Sequence, residues 1–329
     1  MAGPKVFVGV GGKARQVKNI YVGVSGKARK VKRAYVGVGG KARLVYSSDF
    51  WAPIGVAAAN CLAAYKFKGA ASESAALTDL TGHGYTLSKV ASNWRYVEAT
   101  QHYNSPSWSS SGFSLGDWCG LNNTTLKGKD PVSVVARFSG YSGARHYSDD
   151  YQCAIIFEGN NYHRLYISTC YATHSFYYPG SGSVGYQFNN ANTAIKCRTA
   201  SSTDTNPSAS TVATSGVVGI SFNGTSTPTL YFNGNAQTVY APTFRKGAAG
   251  WEGEAASVVV KGFPGTTGIL LGMRAFTSGD DWYYNDESLA WNCPARWSWS
   301  RYTLQAAAFF SVALTAAQQK EVYQGMISL

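Results

Sequence analysis

Three near-identical copies of a 14-residue unit open this chain, and they constrain its fold more than any other feature. The copies starting at Val8, Val22 and Val36 read VGVGGKARQVKNIY, VGVSGKARKVKRAY and VGVGGKARLVYSSD. Eight columns are identical in all three: the V-G-V opening, the turn Gly, Lys-Ala-Arg and the later Val. Fourteen residues is too short for a helical solenoid repeat. It suits two short strands around Gly-Gly or Ser-Gly, because such turns need positive φ, which Gly supplies without steric cost. Register is open at this level. A two-residue turn at Gly11-Gly12 sets Val10 opposite Lys13 and Val8 opposite Arg15, mixing apolar and charged side chains on one face. A three-residue turn with a bulge would set Phe7 opposite Val17. Either way, about 46 residues with only Val, Ile and Tyr to bury make a poor independent core, so these strands call for cover from the second domain, from sister copies or from a partner surface.

Charge divides the chain at the same boundary. Of 29 Lys and Arg residues, eleven lie in 1–46, and none of the 17 acidic residues does; the remaining 283 residues hold 18 cations against 17 acids. A near-neutral body therefore carries one strongly basic end. Clustered cations can dock on an acidic protein surface, bind phosphate or merely be solvated. Base-stacking aromatics are sparse here and no helix-turn-helix, zinc-finger or RNA-recognition signature is present. Nucleic acid is thus not the expected partner, and docking on an acidic protein surface is. The candidate attachment residues are Lys13, Arg15, Lys27, Arg29, Lys41 and Arg43. Residues 47–55, with Pro53 and Gly55, read as a linker.

From residue 56 to 329 the chain is a succession of short β-branched or aromatic runs bounded by Gly, Asn, Ser and Pro. Runs at 62–68, 132–138, 154–157, 164–168, 217–222, 229–233, 256–261 and 269–274 carry no helical period. They predict an all-β sandwich or jelly roll. Asn223-Gly224 and Asn233-Gly234, each straight after an apolar run, predict hairpin turns. One helix is expected, at 315–325: Thr315 and Gln318 form a capping box, Val322, Tyr323 and Met326 share a face, and Gly325 is a candidate stop. No run approaches 18 apolar residues, so no membrane-spanning helix is expected, and the N-terminus lacks a secretory h-region. Six cysteines without a CxxC pair read as buried free thiols.

Two resemblances follow from these residues. The V-G-V-x-G-K-A-R-x-V-K-x-x-Y unit resembles short tandem modules at the N-termini of bacteriophage and prophage tail-associated proteins. That resemblance implies a virion protein, assembled in the host cytoplasm and joined through its N-terminus to other virion proteins (tail, baseplate or capsid). It also implies a homo-oligomer, although no coiled-coil heptads are present to build one. LAAYKF (62–67) followed by LTDLTGHG (77–84), PVSVVARF (131–138), LYFNG (230–234), ILLGMR (269–274) and FFSVALTAAQQKEVY (309–323) resemble, in that order, the concanavalin A-like (laminin-G-like) jelly-roll superfamily. The implied architecture is all-β: a hairpin-repeat module, then a concanavalin A-like jelly-roll sandwich with one short C-terminal helix.

Glycan-cleaving members of that superfamily carry paired carboxylates on one strand, one to donate a proton and one to attack. No E-x-D-x-x-E spacing occurs here; Glu252 and Glu254, beside Trp251, are the nearest pair and sit among glycines. Nor is there an HExxH, a nucleophile elbow or a P-loop. The sequence therefore points away from an enzyme and leaves a glycan depolymerase as an outlying alternative. Binding has better material. YSGARHYSDDY (141–151) and GDDWYYNDESLAW (279–291) gather aromatic faces that can cover the C–H face of a sugar with carboxylates that accept its hydroxyls. Tyr147, Asp149, Asp150, Asp281, Trp282 and Tyr283 are the candidate carbohydrate-binding residues, for a host-surface glycan. No metal or cofactor is required, although the clustered aspartates are also oxygen ligands that could hold Ca²⁺. A purely structural decoration or tail component, binding no sugar, is the remaining alternative.

Overall fold

The structure, a computed structural model, describes residues 7–10, 13–16, 20–31, 33–47, 49–90, 92–95, 101–115, 119–126, 129–143, 152–158, 164–169, 183–190, 193–198, 215–224, 228–237, 240–246, 262–263, 269–272 and 300–329.

The three repeats form three separate two-stranded antiparallel sheets: β1 (Phe7–Val10) with β2 (Lys13–Gln16), β3 (Tyr21–Val24) with β4 (Lys27–Lys30), and β5 (Arg33–Val38) with β6 (Lys41–Ser47). The register is that of the two-residue turn: Val10 pairs with Lys13, Val24 with Lys27 and Val38 with Lys41. Both central residues of the second and third turns have positive φ (Ser25 52° and Gly26 76°; Gly39 58° and Gly40 73°). This is the type I′ geometry whose twist matches that of the flanking strands.

The body is built from two eight-stranded antiparallel sheets and one separate two-stranded sheet. In chain order its elements are β7 (Cys61–Lys66), α1 (Glu73–Leu77), β8 (Ser88–Val90), β9 (Ser92–Arg95), β10 (Gln101–Asn104), β11 (Ser107–Ser109), β12 (Gly112–Leu115) and β13 (Gly120–Asn123). There follow β14 (Ser133–Gly143), β15 (Gln152–Glu158), β16 (Arg164–Thr169), β17 (Ser183–Asn190) and β18 (Thr193–Arg198). The last are β19 (Gly216–Ser221), β20 (Thr229–Phe232), β21 (Asn235–Ala236), β22 (Tyr240–Lys246), β23 (Ile269–Gly272), β24 (Ser300–Phe310) and α2 (Ala316–Ile327). One sheet runs β11-β12-β24-β14-β19-β20-β21, with β7 paired to the second half of β24. The other runs β22-β18-β17-β16-β15-β23-β13-β8. This is the expected all-β jelly-roll sandwich with a short C-terminal helix. The run at 256–261 lies outside the described residues.

Alternation on the central strands sorts side chains between two cores. Val134, Ala136 and Phe138 of β14 face the second sheet, whereas Val135 faces α2. Between the sheets, the Phe157 ring lies 5.2 Å from Phe309 and 4.7 Å from Phe263, edge to face in each case, the geometry that ring quadrupoles favour. On β24 the alternation breaks once. Tyr302 and Leu304 face the inner core, and so do Ala307 and Phe309, because Gln305 is an extra residue: Arg137 pairs with Ala306 and Phe138 with Leu304. The Gln305 carbonyl takes both the Phe67 and Lys68 N–H groups, at 3.0 Å each. The bulge keeps two apolar pairs on one face that strict alternation would separate.

The outer core joins α2 to the other face of the first sheet. The capping box forms as expected: Gln318 N donates to Thr315 Oγ1 (3.3 Å), and Thr315 N to Gln318 Oε1 (2.9 Å). Val322 and Met326 are buried. Buried Gln319 donates from Nε2 to Ser221 Oγ (2.9 Å), which lies 3.0 Å from Ser133 Oγ. Arg137 donates to the Met326 carbonyl at the end of α2, which also accepts from Leu329 N at 3.3 Å.

Three expectations are corrected here. Gly325 does not stop the helix, which runs on to Ile327; a Cβ there would sit 2.6 Å from the Phe50 Cα, so the glycine makes room for a crossing chain. That chain is the stretch expected as a linker. From Phe50 onward it is docked: Phe50 and Trp51 are buried in the outer core, Ile54 N donates to Glu321 Oε2 (2.8 Å), and Gln318 Nε2 donates to the Ile54 carbonyl (3.2 Å). Pro53 and Gly55 prevent a regular element but not packing. Finally, Asn233-Gly234 forms a two-residue turn between Phe232 and Asn235, but the strands flanking Asn223-Gly224 close only at Ser221 and Thr229. α1, five residues N-capped by the Ser72 hydroxyl, is an addition to the expected single helix.

Candidate functional site

Two places are set up for contact. The first is the repeat face. Side chains of cross-strand partners lie on the same face, and faces alternate along the strand. Val22, Val24, Lys27 and Arg29 therefore share one face of the second hairpin; Tyr21, Gly23, Ala28 and Lys30 take the other. All eight except Lys30, whose side chain is not described, are exposed, with Val22 at 50% and Val24 at 40%. In the first and third hairpins, Val8 pairs with Arg15 and Val36 with Arg43 at the corresponding register positions. The six cations expected as attachment residues thus each stand directly opposite a valine. Those valines were not among the expected attachment residues; the two-residue register, one of the two left open by the sequence, sets them beside the cations.

The second place is one end of the sandwich. Gly143 at the end of β14 pairs with Ser300 at the start of β24. Gly120 pairs with both Val90 and Gly272, Gln152 with Thr169, and Ser168 with Ser183. A Cβ on Gly272 would lie 3.4 Å from Leu115 Cδ1, and Leu115 pairs with Tyr302 near the start of β24, so these termini belong to the same end of the two sheets. Segments 91–106, 116–118, 144–151, 170–182 and 273–299 are all rooted there. Together they hold Trp94, Trp118, Trp282, Trp291, Trp297 and Trp299, six of the nine tryptophans. The chain enters the sandwich at the opposite end, where Cys61 pairs with Phe310.

Tyr147, Asp149, Asp150, Asp281, Trp282 and Tyr283 lie outside the described residues, as do Glu252 and Glu254. The flanks of both aromatic–acidic segments are described, and antiparallel pairing brings residues 143 and 300 side by side. Among the described residues no group of His, Cys, Asp and Glu gathers to hold a metal ion, and no helix is long and apolar enough to cross a membrane. Cys61 is a buried free thiol, and Cys119 is buried as well. Burial, reinforced by the Asp79 charge, pushes the Cys61 thiol far above its ordinary range, which keeps it protonated and unreactive. His83 is occupied by the Leu62 carbonyl, 3.0 Å from Nδ1.

No protein-family model matches the chain, and no curated protein does. Among solved structures, it is similar to the receptor-binding domain of botulinum neurotoxin C/D mosaic serotype, at 13% identity and a TM-score of 0.45, covering 82% of this chain and 52% of that one. It is also similar to the botulinum neurotoxin serotype D ligand-binding domain in complex with N-acetylneuraminic acid, at 12% and 0.45, covering 82% and 51%. Domain 4 of a GH43 extracellular arabinanase from Geobacillus stearothermophilus, in complex with arabinotriose, matches at 12% and 0.40, covering 80% and 98%. The chain spans about half the length of the two toxin domains.

Proposed function

We propose that this chain is a non-enzymatic virion adhesin. Its basic hairpins fasten it to other virion proteins, and its sandwich presents residues around Tyr147, Asp149, Asp150, Asp281, Trp282 and Tyr283 to a host-surface glycan. The observation that carries this reading is the polarity of the sandwich. The leader joins at the end where Cys61 meets Phe310, and the two aromatic–acidic segments are rooted at the other, where Gly143 meets Ser300. An attached protein of this shape holds its aromatic end away from its anchor. Tyr and Trp faces with adjacent carboxylates are the chemistry that a pyranose requires.

Two measurements test it. On a glycan array, the full chain binds a defined set of sugars, and Trp282→Ala loses that binding while keeping its melting temperature. A Trp282→Ala variant that melts much earlier, or a full chain that binds no sugar, defeats the adhesin reading. Expressed in an infected host, the tagged full chain co-purifies with particles; its absence from them removes the virion assignment.

A further inference from the structure

The triplicated hairpins are independent sheets, and what is invariant among them lies largely on one face. Taking the pairings together, Val, Val, Lys and Arg occupy the same four positions in every copy, all on one face. On the opposite face Gly and Ala are also constant, but they offer no side chain to grip a partner. The outer pair there is Phe7 with Gln16, Tyr21 with Lys30 and Tyr35 with Leu44, aromatic on one strand in every copy and changing in charge and polarity on the other. The face of two valines and two cations is the one on which all four positions are identical in all three copies, and it holds every invariant cation, which marks it as the working one.

Its occupant is not found within this chain. A second leader is excluded by charge, since eleven cations and no acid repel their like. The body, at 18 cations to 17 acids, offers no compensating field. Two exposed valines beside two cations also fit a phosphate backbone poorly, because phosphate contacts take cations and hydrogen-bond donors and leave methyl groups uncovered.

We infer that each hairpin is one valence of a three-valent clamp for an acidic protein surface that alternates carboxylates with aliphatic side chains and repeats its site. This rests on the attachment reading above and adds to it the partner's chemistry and valency. Each face is small: two ion pairs open to water bind weakly, and two valines add little more. Firm attachment comes from linking. Once one hairpin is seated, the next binds at the effective concentration set by a connection of a few residues, so affinities multiply.

The test uses the full-length chain on two immobilised polymers, a random glutamate–leucine copolymer and poly-L-glutamate, with duplex DNA as comparison. Reversing one hairpin (Lys27→Glu with Arg29→Glu) should lower affinity for the copolymer about 10- to 100-fold, and reversing a second (Lys13→Glu with Arg15→Glu) should lower it by a similar factor again. Val22→Thr with Val24→Thr should weaken binding to the copolymer and leave binding to poly-L-glutamate unchanged. The inference is overturned if a second reversal adds less than about twofold to the first, if the valine variant behaves alike on both polymers, or if DNA is held as tightly as the copolymer. Val22, Val24, Lys27 and Arg29 are exposed, so the sandwich's melting temperature serves as the folding control in every variant. A chain that grips the copolymer but is missing from particles would sink the attachment reading alone, so the two fail separately.

Discussion

Val22 and Val24 stand half in water on an antiparallel strand, whereas Val134 and Val218, also on antiparallel strands, are fully buried. Residue type and backbone are the same; the number of layers differs. A two-stranded sheet has nothing to lay over either face and is marginal alone, while β14 and β19 have a second sheet on one side and α2 on the other. The comparison teaches what each kind of sheet rests on: the second hairpin is shaped by its type I′ turn and cross-strand pairs, and its described strand residues are exposed. Among the described residues, the sandwich's two cores begin at Phe50 and include none of the leader.

That contrast can be broken most sharply at the inner core. Phe309→Ala should cost about 3–5 kcal/mol, because it removes a ring that touches both Tyr65 and Phe157 and leaves a cavity; chemical denaturation measures it. Next comes the docked segment beside α2. Gly325→Ala gains about 1 kcal/mol of helix propensity but drives a Cβ into the Phe50 backbone, so a net loss of about 1–3 kcal/mol is expected, with new protease cleavage near 48–52. A variant as stable and as resistant as the parent would mean that the segment is only loosely seated. Smaller still is the paired valine test. Val134→Ala should cost about 2 kcal/mol, whereas Val22→Ala should shift stability by no more than about 0.5 kcal/mol; equal effects would show that the leader has a core after all.

The last prediction concerns pH. Burial raises the Glu321 carboxyl above its ordinary range, against the opposing pull of the Ile54 N–H. A folded-state pKa above the unfolded value of about 4.3 means that the folded protein holds this proton more tightly. Its contribution is complete in acid and is lost as pH rises through the folded-state value. Glu321→Gln, whose amide oxygen can still accept from Ile54, should match the parent near pH 4 and melt slightly higher at neutral pH. A difference that grows toward acid instead would reverse the sign and discard the burial argument.

Much of this was legible beforehand because it rests on local rules. The hydrophobic runs of strand length other than 256–261, the Asn233-Gly234 turn and the Thr315–Gln318 capping box each depend on neighbours within a few residues, and each formed. The misreadings have a common cause. Gly325 looks like a helix stop and Pro53-Gly55 like a tether because propensity cannot see Phe50 and Trp51 arriving from 270 residues away. The Gln305 bulge drew no expectation at all, because a bulge is defined by its partners, Arg137 and Phe138.

The candidate site divides along the same line. Composition and repetition determined by themselves that the cations are confined to a triplicated leader and that tyrosine, tryptophan and aspartate cluster in two segments, since those are properties of the chain as written. Only the tertiary structure decided that each attachment cation faces a valine, and that two segments more than 120 residues apart spring from adjacent strand ends. Register and strand order are settled by which pairings bury the most apolar surface without leaving backbone groups unbonded, and that choice is made by the whole molecule at once.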